Sequence, residues 1–439
     1  MKRFKQNHMT RSSQPKLIGS VIELMVEKYD HQGQGIGWHN GKTVFVPGGI
    51  PGEQVRAEII EQKQSVLVAI AKQILVPSPD RCAPVCPHYG DCGGCTLQHV
   101  PHATQVDIKQ QALAEQLQRY AQLQPQQWLA PIISPREIGY RSRVKLTLKD
   151  GCVGYKRARS HRLVAITGCP IADFEWQDIL PKLRQLPLRQ AEIELCSGDG
   201  RSAMHLMIAT TPSQEQLTKL RNALAGLSDD YVISVSGEQI VDSNPGSLHY
   251  GLSCNGRQLQ LYFRPSHFTQ VNRAVNQALV DAAMEQLQPQ QGDIIADLFS
   301  GSGNFALPLA ALGAEVYAYE GSAELVQQGE HNARANALTI DFAMMNLFEP
   351  DEVQRIAAKQ ANKLLLDPPR SGAKQVCEIM AQLSPERIVY ISCNPATLAR
   401  DAGILVNQGY QLTKAGVLDM FPHTAHIESM AVFIKARKK

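Results

Sequence analysis

Two residues near the C-terminus have the types and settings to do covalent chemistry. Cys393 lies in IVYISCNPATLARD, where Ile388–Ile391 read as a buried strand and Asn394-Pro395 as the turn that follows. Open α/β sheets bring reacting groups to such strand ends. A thiolate there is a strong nucleophile when a positive surround lowers its pKa. A packed core thiol is the other reading. Glu428, in FPHTAHIESMAVFIKA, stands just before the last expected strand, flanked by His423 and His426. A thiol and a carboxylate on one sheet edge suggest that the two share a chemistry.

A ligand for that edge is suggested by DLFSGSGNF, Asp297 to Phe305, between the strand DIIAD and a helical run. Gly301 and Gly303 let the backbone turn tightly and approach a ligand. The next strand, EVYAYE, ends in Glu320, where α/β folds place an acid on a ribose hydroxyl. The third glycine of a dinucleotide fingerprint and the Lys-Ser/Thr of a phosphate loop are both missing. A ribose without phosphates describes S-adenosylmethionine better than NAD or ATP. Asp367, in LLLDPPR, ends another strand at the same edge.

Cysteines supply a second kind of chemistry. CPHYGDCGGC places Cys86, Cys92 and Cys95 in a C-x5-C-x2-C pattern, with Cys82 four residues earlier. Three close thiols around Gly93 and Gly94 point to a metal site, because so polar a loop is a poor core. The spacing leaves open Zn2+ held by Cys82, Cys86, Cys92 and Cys95, or an iron–sulfur cluster.

These groups need a scaffold of several domains, and 439 residues provide for it. Residues 1–16 carry five cations and no acid and read as a disordered basic arm. Residues 17–76 hold short Val/Ile-rich strands between GQGIG and PGGIPG turns, an OB-like barrel. Residues 77–264 open on the Pro-rich linker VPSPDRCAP, continue with an amphipathic helix over 104–123, and then mix strands and helices as an α+β domain. Residues 265–439 alternate strand and helix, which predicts a parallel, doubly wound sheet.

Net charge is only +3. Between Arg136 and Arg162, however, nine Lys or Arg face two acids, Glu137 and Asp150, with Tyr140 and Tyr155 among them. Cations interleaved with rings can neutralise phosphates and stack on bases; a solvated hairpin is the alternative. No apolar run approaches the roughly 20 residues of a membrane span. The N-terminus lacks the apolar stretch of a secretory signal. Ten cysteines without such a signal argue for reduced thiols in the cytoplasm.

Taken together, DLFSGSGNF, LLLDPPR, SCNPATLARD, HIESM and FTQVN (Phe268 to Asn272) resemble the motifs of the bacterial RNA (uracil-C5)-methyltransferases over nearly the whole chain. The resemblance implies a Rossmann-like S-adenosylmethionine methyltransferase domain behind an RNA-binding TRAM barrel. It implies Cys393 as the nucleophile that adds to C6 of a uracil and Glu428 as the base that removes the C5 proton. It places Gln270, Phe299, Asn304, Glu320, Asn346 and Asp367 at cofactor-contacting positions. It favours a [4Fe-4S] cluster on Cys86, Cys92, Cys95 and Cys169 over Zn2+, leaving Cys82 outside. Barrel and cysteine cluster together resemble the members that modify 23S rRNA, as cytoplasmic monomers. A radical S-adenosylmethionine enzyme would also join a cluster to this cofactor, but its C-x3-C-x2-C loop is absent and Cys393 and Glu428 would have no role. A non-catalytic RNA-binding protein is the rival from another class.

Overall fold

The computed structural model describes residues 17–436 except 226, 229 and 244–247. The basic arm expected at 1–16 lies outside the described residues. The chain forms two compact units, one up to Arg81 and one from Cys82 onward.

In the first unit six strands form one sheet, and Val21–Met25 alternates exposed and buried as a one-sided strand must. Its core is aliphatic, from Leu24, Val44, Val55, Ile59 and Leu67. Gly37 allows the closure: a Cβ there would stand 2.3 Å from the Met25 carbonyl oxygen. The unit ends at a buried clasp in which Arg81 donates to both oxygens of Glu53, at 2.6 and 2.7 Å, while the Ile50 amide also donates to that carboxylate. A bidentate pair of this kind fixes geometry as well as charge.

The second unit contains an eight-stranded sheet. Its order is Asp341–Met344, Glu315–Glu320, Ile294–Leu298, Lys363–Leu366, Arg387–Ser392, Glu428–Lys435, Tyr410–Leu418, Gln127–Trp128. Period-2 alternation sends Ala296, Leu364, Ile388 and Tyr390 into one apolar layer and Ile295, Leu365, Val389 and Ile391 into the other. Helices His102–Ala121 and Pro395–Asn407 cover the first face, and Arg273–Leu287 and Ala323–Ala335 the second. The chain reverses its direction of sheet growth between Ile294–Leu298 and Lys363–Leu366. That switch point opens a crevice at the strands' carboxyl ends.

The sheet departs from the all-parallel expectation. Glu428–Lys435 is antiparallel to both neighbours, because only residues 419–427 connect it to Tyr410–Leu418 and parallel strands need a longer crossover. Glu428 is the first residue of its strand, not a residue ahead of it. The expected boundary at 265 also cuts through this body. The helix His102–Ala121 packs on Pro395–Asn407, and Gln127–Trp128 pairs with Lys414 and Ala415. A further seven-stranded sheet, Arg143 to Asp242, has its own core of Leu146, Ile193, Leu206, Leu220 and Ile233.

Candidate active site

At the switch point lies a cavity of about 590 Å³. Gln270, Phe299, Asn304, Glu320, Asn346, Asp367, Cys393 and Glu428 all line it. The glycine loop reaches it by three positive φ values, Phe299 at 64°, Gly301 at 55° and Gly303 at 102°. For Phe299 this conformation costs about 1–2 kcal/mol, a strain of the kind that collects at functional sites. Its ring lies 5.7 Å from that of Phe348. Glu320 is held by two amides, which donate from Gly301 and Ser322 at 3.0 Å each. Asn304 is committed to the scaffold: Asn276 donates to it and accepts from it at 2.9 and 3.0 Å, and Tyr250 donates at 3.1 Å. The Phe348 amide donates to the Asn346 side chain at 3.1 Å.

Cys393 follows a strand whose last residue, Ser392, is registered with Ser429. One step beyond that pair come Cys393 on one chain and Glu428 on the other. Asn394 secures the turn. Its side chain accepts from the Ala396 amide at 3.2 Å, capping the next helix, and donates to the Arg370 carbonyl at 2.9 Å. The turn after Cys393 is thereby tied to the loop after Asp367.

The electrostatics reverse one expectation. No positive surround lowers the Cys393 thiol. Burial, then Glu428 and Asp367, push it up to about 11 against the pull of Arg370. Burial and Asp367 raise Glu428 well above the usual carboxylate range. Burial raises Asp367 to about 7. Behind them Asp297 is fully buried and also raised, by burial, Asp367 and Glu320. Neither of its oxygens has a hydrogen bond of normal geometry among the described residues, although the Ala306 amide is near enough to offset part of the burial. Four acids and one thiol with too little positive charge make a site that favours a cationic ligand.

Sequence reasoning missed Arg141, Arg370, Phe421 and His426 on the same wall. Their neighbouring motifs carried the signal, since Arg370 closes LLLDPPR and His426 opens HIESM. Phe268, 71% exposed, stands at the rim.

A second cavity, of about 290 Å³, is lined by Cys86, Cys92, Cys95 and Cys169. Cys82 is exposed and is not part of its wall. The cysteine loop docks on the Cys152–Lys156 strand through the Gly93 amide, which donates to the Lys156 carbonyl at 3.1 Å. Burial raises Cys92, Cys95 and Cys169, Cys95 to about 12, and each is raised further by neighbouring thiols of the set. Among the described residues no three His, Cys, Asp or Glu side chains stand close enough to hold one ion. Arg141 and His426 line both cavities.

The basic segment is only partly the expected surface. Lys145, Lys149, Lys156, Arg157, Arg159 and Arg162 are exposed, while Arg143 is buried against Glu194. Tyr140 and Tyr155 are not stacking platforms: Tyr140 is buried with its hydroxyl donating to the Pro422 carbonyl, and the Tyr155 hydroxyl is enclosed beside Cys169.

Residues 209–437 match the family model described as tRNA (Uracil-5-)-methyltransferase. The chain belongs to this family. Residues 15–72 match the TRAM domain model, which accounts for the barrel. Family relatives resemble the chain from end to end. A 23S rRNA (uracil(1939)-C(5))-methyltransferase RlmD of Alkalilimnicola ehrlichii is 40% identical, covering 95% of this chain and 97% of the relative. The RlmD of Vibrio cholerae is 38% identical, covering 97% of this chain and all of the relative. Among solved structures, the Pyrococcus abyssi tRNA (uracil-54, C5)-methyltransferase, in complex with S-adenosyl-L-homocysteine, superposes with a TM-score of 0.74 at 22% identity over 94% of this chain, a likeness of fold. No described helix is long and apolar enough to cross a membrane.

Proposed function

We propose that this chain methylates C5 of a uridine in 23S rRNA, the uridine at 1939 named for its relatives, through a covalent bond between Cys393 and C6 of the base. The carrying observation is that Cys393 and Glu428 end neighbouring strands in the cavity that also holds the glycine loop and Glu320. C5 of uracil is a poor nucleophile until something adds at C6. Attack by the Cys393 sulfur forms the S–C6 bond and pushes the C5–C6 π electrons into an enolate, which is nucleophilic at C5. S-adenosylmethionine supplies the methyl group when bound. Glu428 then takes the C5 proton, the C5–C6 double bond re-forms, and the sulfur leaves as thiolate, two easier steps in place of one hard one. A carboxylate kept from water has a high proton affinity, which suits Glu428 to a carbon acid once it is ionised. A cation in this cavity would favour ionisation of Cys393, Asp367 and Glu428 together.

The uracil has to leave any stack to reach a thiol at the floor of a cavity. Phe268 and Phe421 line the same cavity and offer apolar rings to a base, and the six exposed cations of the 145–162 segment could meet phosphates. Incubation with S-adenosylmethionine and rRNA or tRNA fragments, read by nucleoside mass spectrometry, is expected to give 5-methyluridine in the rRNA fragment containing that uridine. Product in tRNA alone would reassign the substrate, and product in neither would leave an RNA-binding protein.

For the thiol cavity we propose a [4Fe-4S] cluster on Cys86, Cys92, Cys95 and Cys169. The donor set suits a cluster better than a single ion: four thiols from two distant segments line one cavity without three converging on one point, each would bind a different iron, and the burial and mutual repulsion that raise three of them would be relieved by a cationic core. When bound, the cluster would tie the linker to the 166–172 loop. Protein purified without oxygen is expected to be brown with about four irons per chain. Cys169→Ala should lose the iron and Cys82→Ala should keep it; stoichiometric zinc, or iron loss in the Cys82 variant alone, would overturn the assignment.

A further inference from the structure

The 419–427 loop separates the last two strands and contributes Phe421 and His426 to the catalytic cavity before reaching Glu428. Its internal hydrogen bonds are few and local, from the Thr424 amide and hydroxyl to the Phe421 carbonyl and from the His426 amide to the Thr424 hydroxyl. His423 sits at φ 66°, a left-handed conformation that costs about 1–2 kcal/mol for a residue with a Cβ. Something outside the loop must hold it there.

Most of that support comes from one stretch, residues 96–109, more than 300 positions away in sequence, while the Tyr140 hydroxyl donates to the Pro422 carbonyl and the Asp419 amide to the Ile132 carbonyl. The His423 amide donates to Gln105 Oε1 at 2.7 Å, and the His423 carbonyl accepts from the Thr96 and Leu97 amides at 2.9 and 3.0 Å. The Ala425 amide donates to Thr96 Oγ1 at 3.1 Å. At the loop's start Asp419, 1% exposed, accepts from Lys109 Nζ at 2.7 Å and meets His102 Nε2. The same Lys109 ammonium, itself buried, donates to the Phe421 carbonyl at 3.0 Å. Gln105 is fixed in turn, its amide donating to the Val100 carbonyl at 2.8 Å.

We infer that Lys109 and Gln105 are positioning residues for methyl transfer, holding the 419–427 loop from the helix His102–Ala121 so that Phe421, His426 and Glu428 meet the substrate. The inference rests on the methyltransferase reading above. A buried ion pair is a poor source of stability, because desolvating two charges offsets most of their attraction. A tether that fixes a backbone carbonyl in a strained loop has another use. The stretch also begins at Thr96, the residue after Cys95, so the thiol cavity and the loop leading to Glu428 share one support.

The test compares three variants with the wild type, with turnover counted per S-adenosylmethionine-binding site so that unfolded molecules drop out. Lys109→Met leaves the buried Asp419 with His102 as its one remaining partner of the two described, and should melt at lower temperature and turn over at least tenfold more slowly. Lys109→Met with Asp419→Asn removes both charges, keeps the volume and keeps an acceptor for His102, but cannot hold the Phe421 carbonyl. It should recover most of the melting temperature and none of the turnover, with cofactor affinity unchanged within twofold. It should also accumulate a gel-stable adduct with ordinary RNA, since Cys393 lies on another strand and can still add while proton removal is slowed. Gln105→Leu carries no change of charge and reads the same loop if the Lys109 variants do not fold; a tenfold loss of turnover is expected. Turnover that returns with the melting temperature in the double variant, or wild-type turnover in Gln105→Leu, would overturn the inference. An inactive wild type would instead refute the methyltransferase reading.

Discussion

Replacing Cys393 by Ala is expected to abolish methyl transfer, by a factor on the order of 10^4 or more, as loss of a nucleophile does elsewhere. S-adenosylmethionine binding should persist, because Glu320 and the glycine loop sit on other strands. The thiol is half-buried at a strand end, so stability should change by about 1 kcal/mol or less. Cys393→Ser should be nearly as inactive, because a hydroxyl at neutral pH is far less nucleophilic than a thiolate. The pH profile of the unchanged enzyme carries further information. With the thiol pushed up to about 11, Cys393 holds its proton at neutral pH in the free cavity, and burial and Asp367 raise Glu428 in the same direction. The thiol must lose its proton to act, so single-turnover rates at limiting cofactor should climb from pH 7 to 9. A rate that falls over this range, or activity retained in Cys393→Ala, would mean that Cys393 is a packed thiol and not the nucleophile.

The second large effect separates addition from elimination. Glu428→Gln keeps the shape of the side chain but cannot accept the C5 proton. Cys393 can still add and C5 can still take its methyl group, after which release stalls. Turnover should fall below detection while a protein–RNA adduct that survives denaturing electrophoresis builds up. RNA with 5-fluorouridine at the target should do the same to the unchanged enzyme, since fluorine does not leave as a proton does. Peptide mapping should put both links on Cys393. Glu428→Gln with normal product release would assign the proton to another base, and Asp367, in the same cavity with a pKa near 7, would be the first to examine.

Much of this site could be read from the sequence because its residues fall in short, local patterns. Buried strand ends announce themselves through a short apolar run followed by turn residues, and this predicts Asp367, Glu320 and Cys393 on one edge. The acidity of Cys393 could not be read in this way. It depends on Asp367 and Glu428, which arrive from two other strands, so the expected positive surround became a negative one. The Tyr410–Leu418 strand was missed because QLTKAG mixes polarity without a clean period. Gln127–Trp128, two residues long, has no pattern at all. His423 looked like a partner of Glu428 by proximity in sequence, whereas its backbone is what the fold uses. Tyr140 and Tyr155 looked like rings among cations, and burial decided their role instead.

The pairing of Gln127–Trp128 with Lys414 and Ala415, and the packing of His102–Ala121 on Pro395–Asn407, also dictate an order of events in the making of the protein. A ribosome emits the early helix and strand first and the strands that receive them last. Until then the helix has no surface on which to bury Leu113 and Leu117, and the late segment, once made, would leave Leu405, Tyr410 and Ala415 bare without it. Contacts this distant close slowly, and exposed apolar surface in the interval invites association with other chains. The nascent chain therefore carries a half-finished catalytic body for nearly the whole of its synthesis. A gene cut at the expected start of the last domain would encode Cys393 and Glu428 but not the helix His102–Ala121 that covers one face of their sheet.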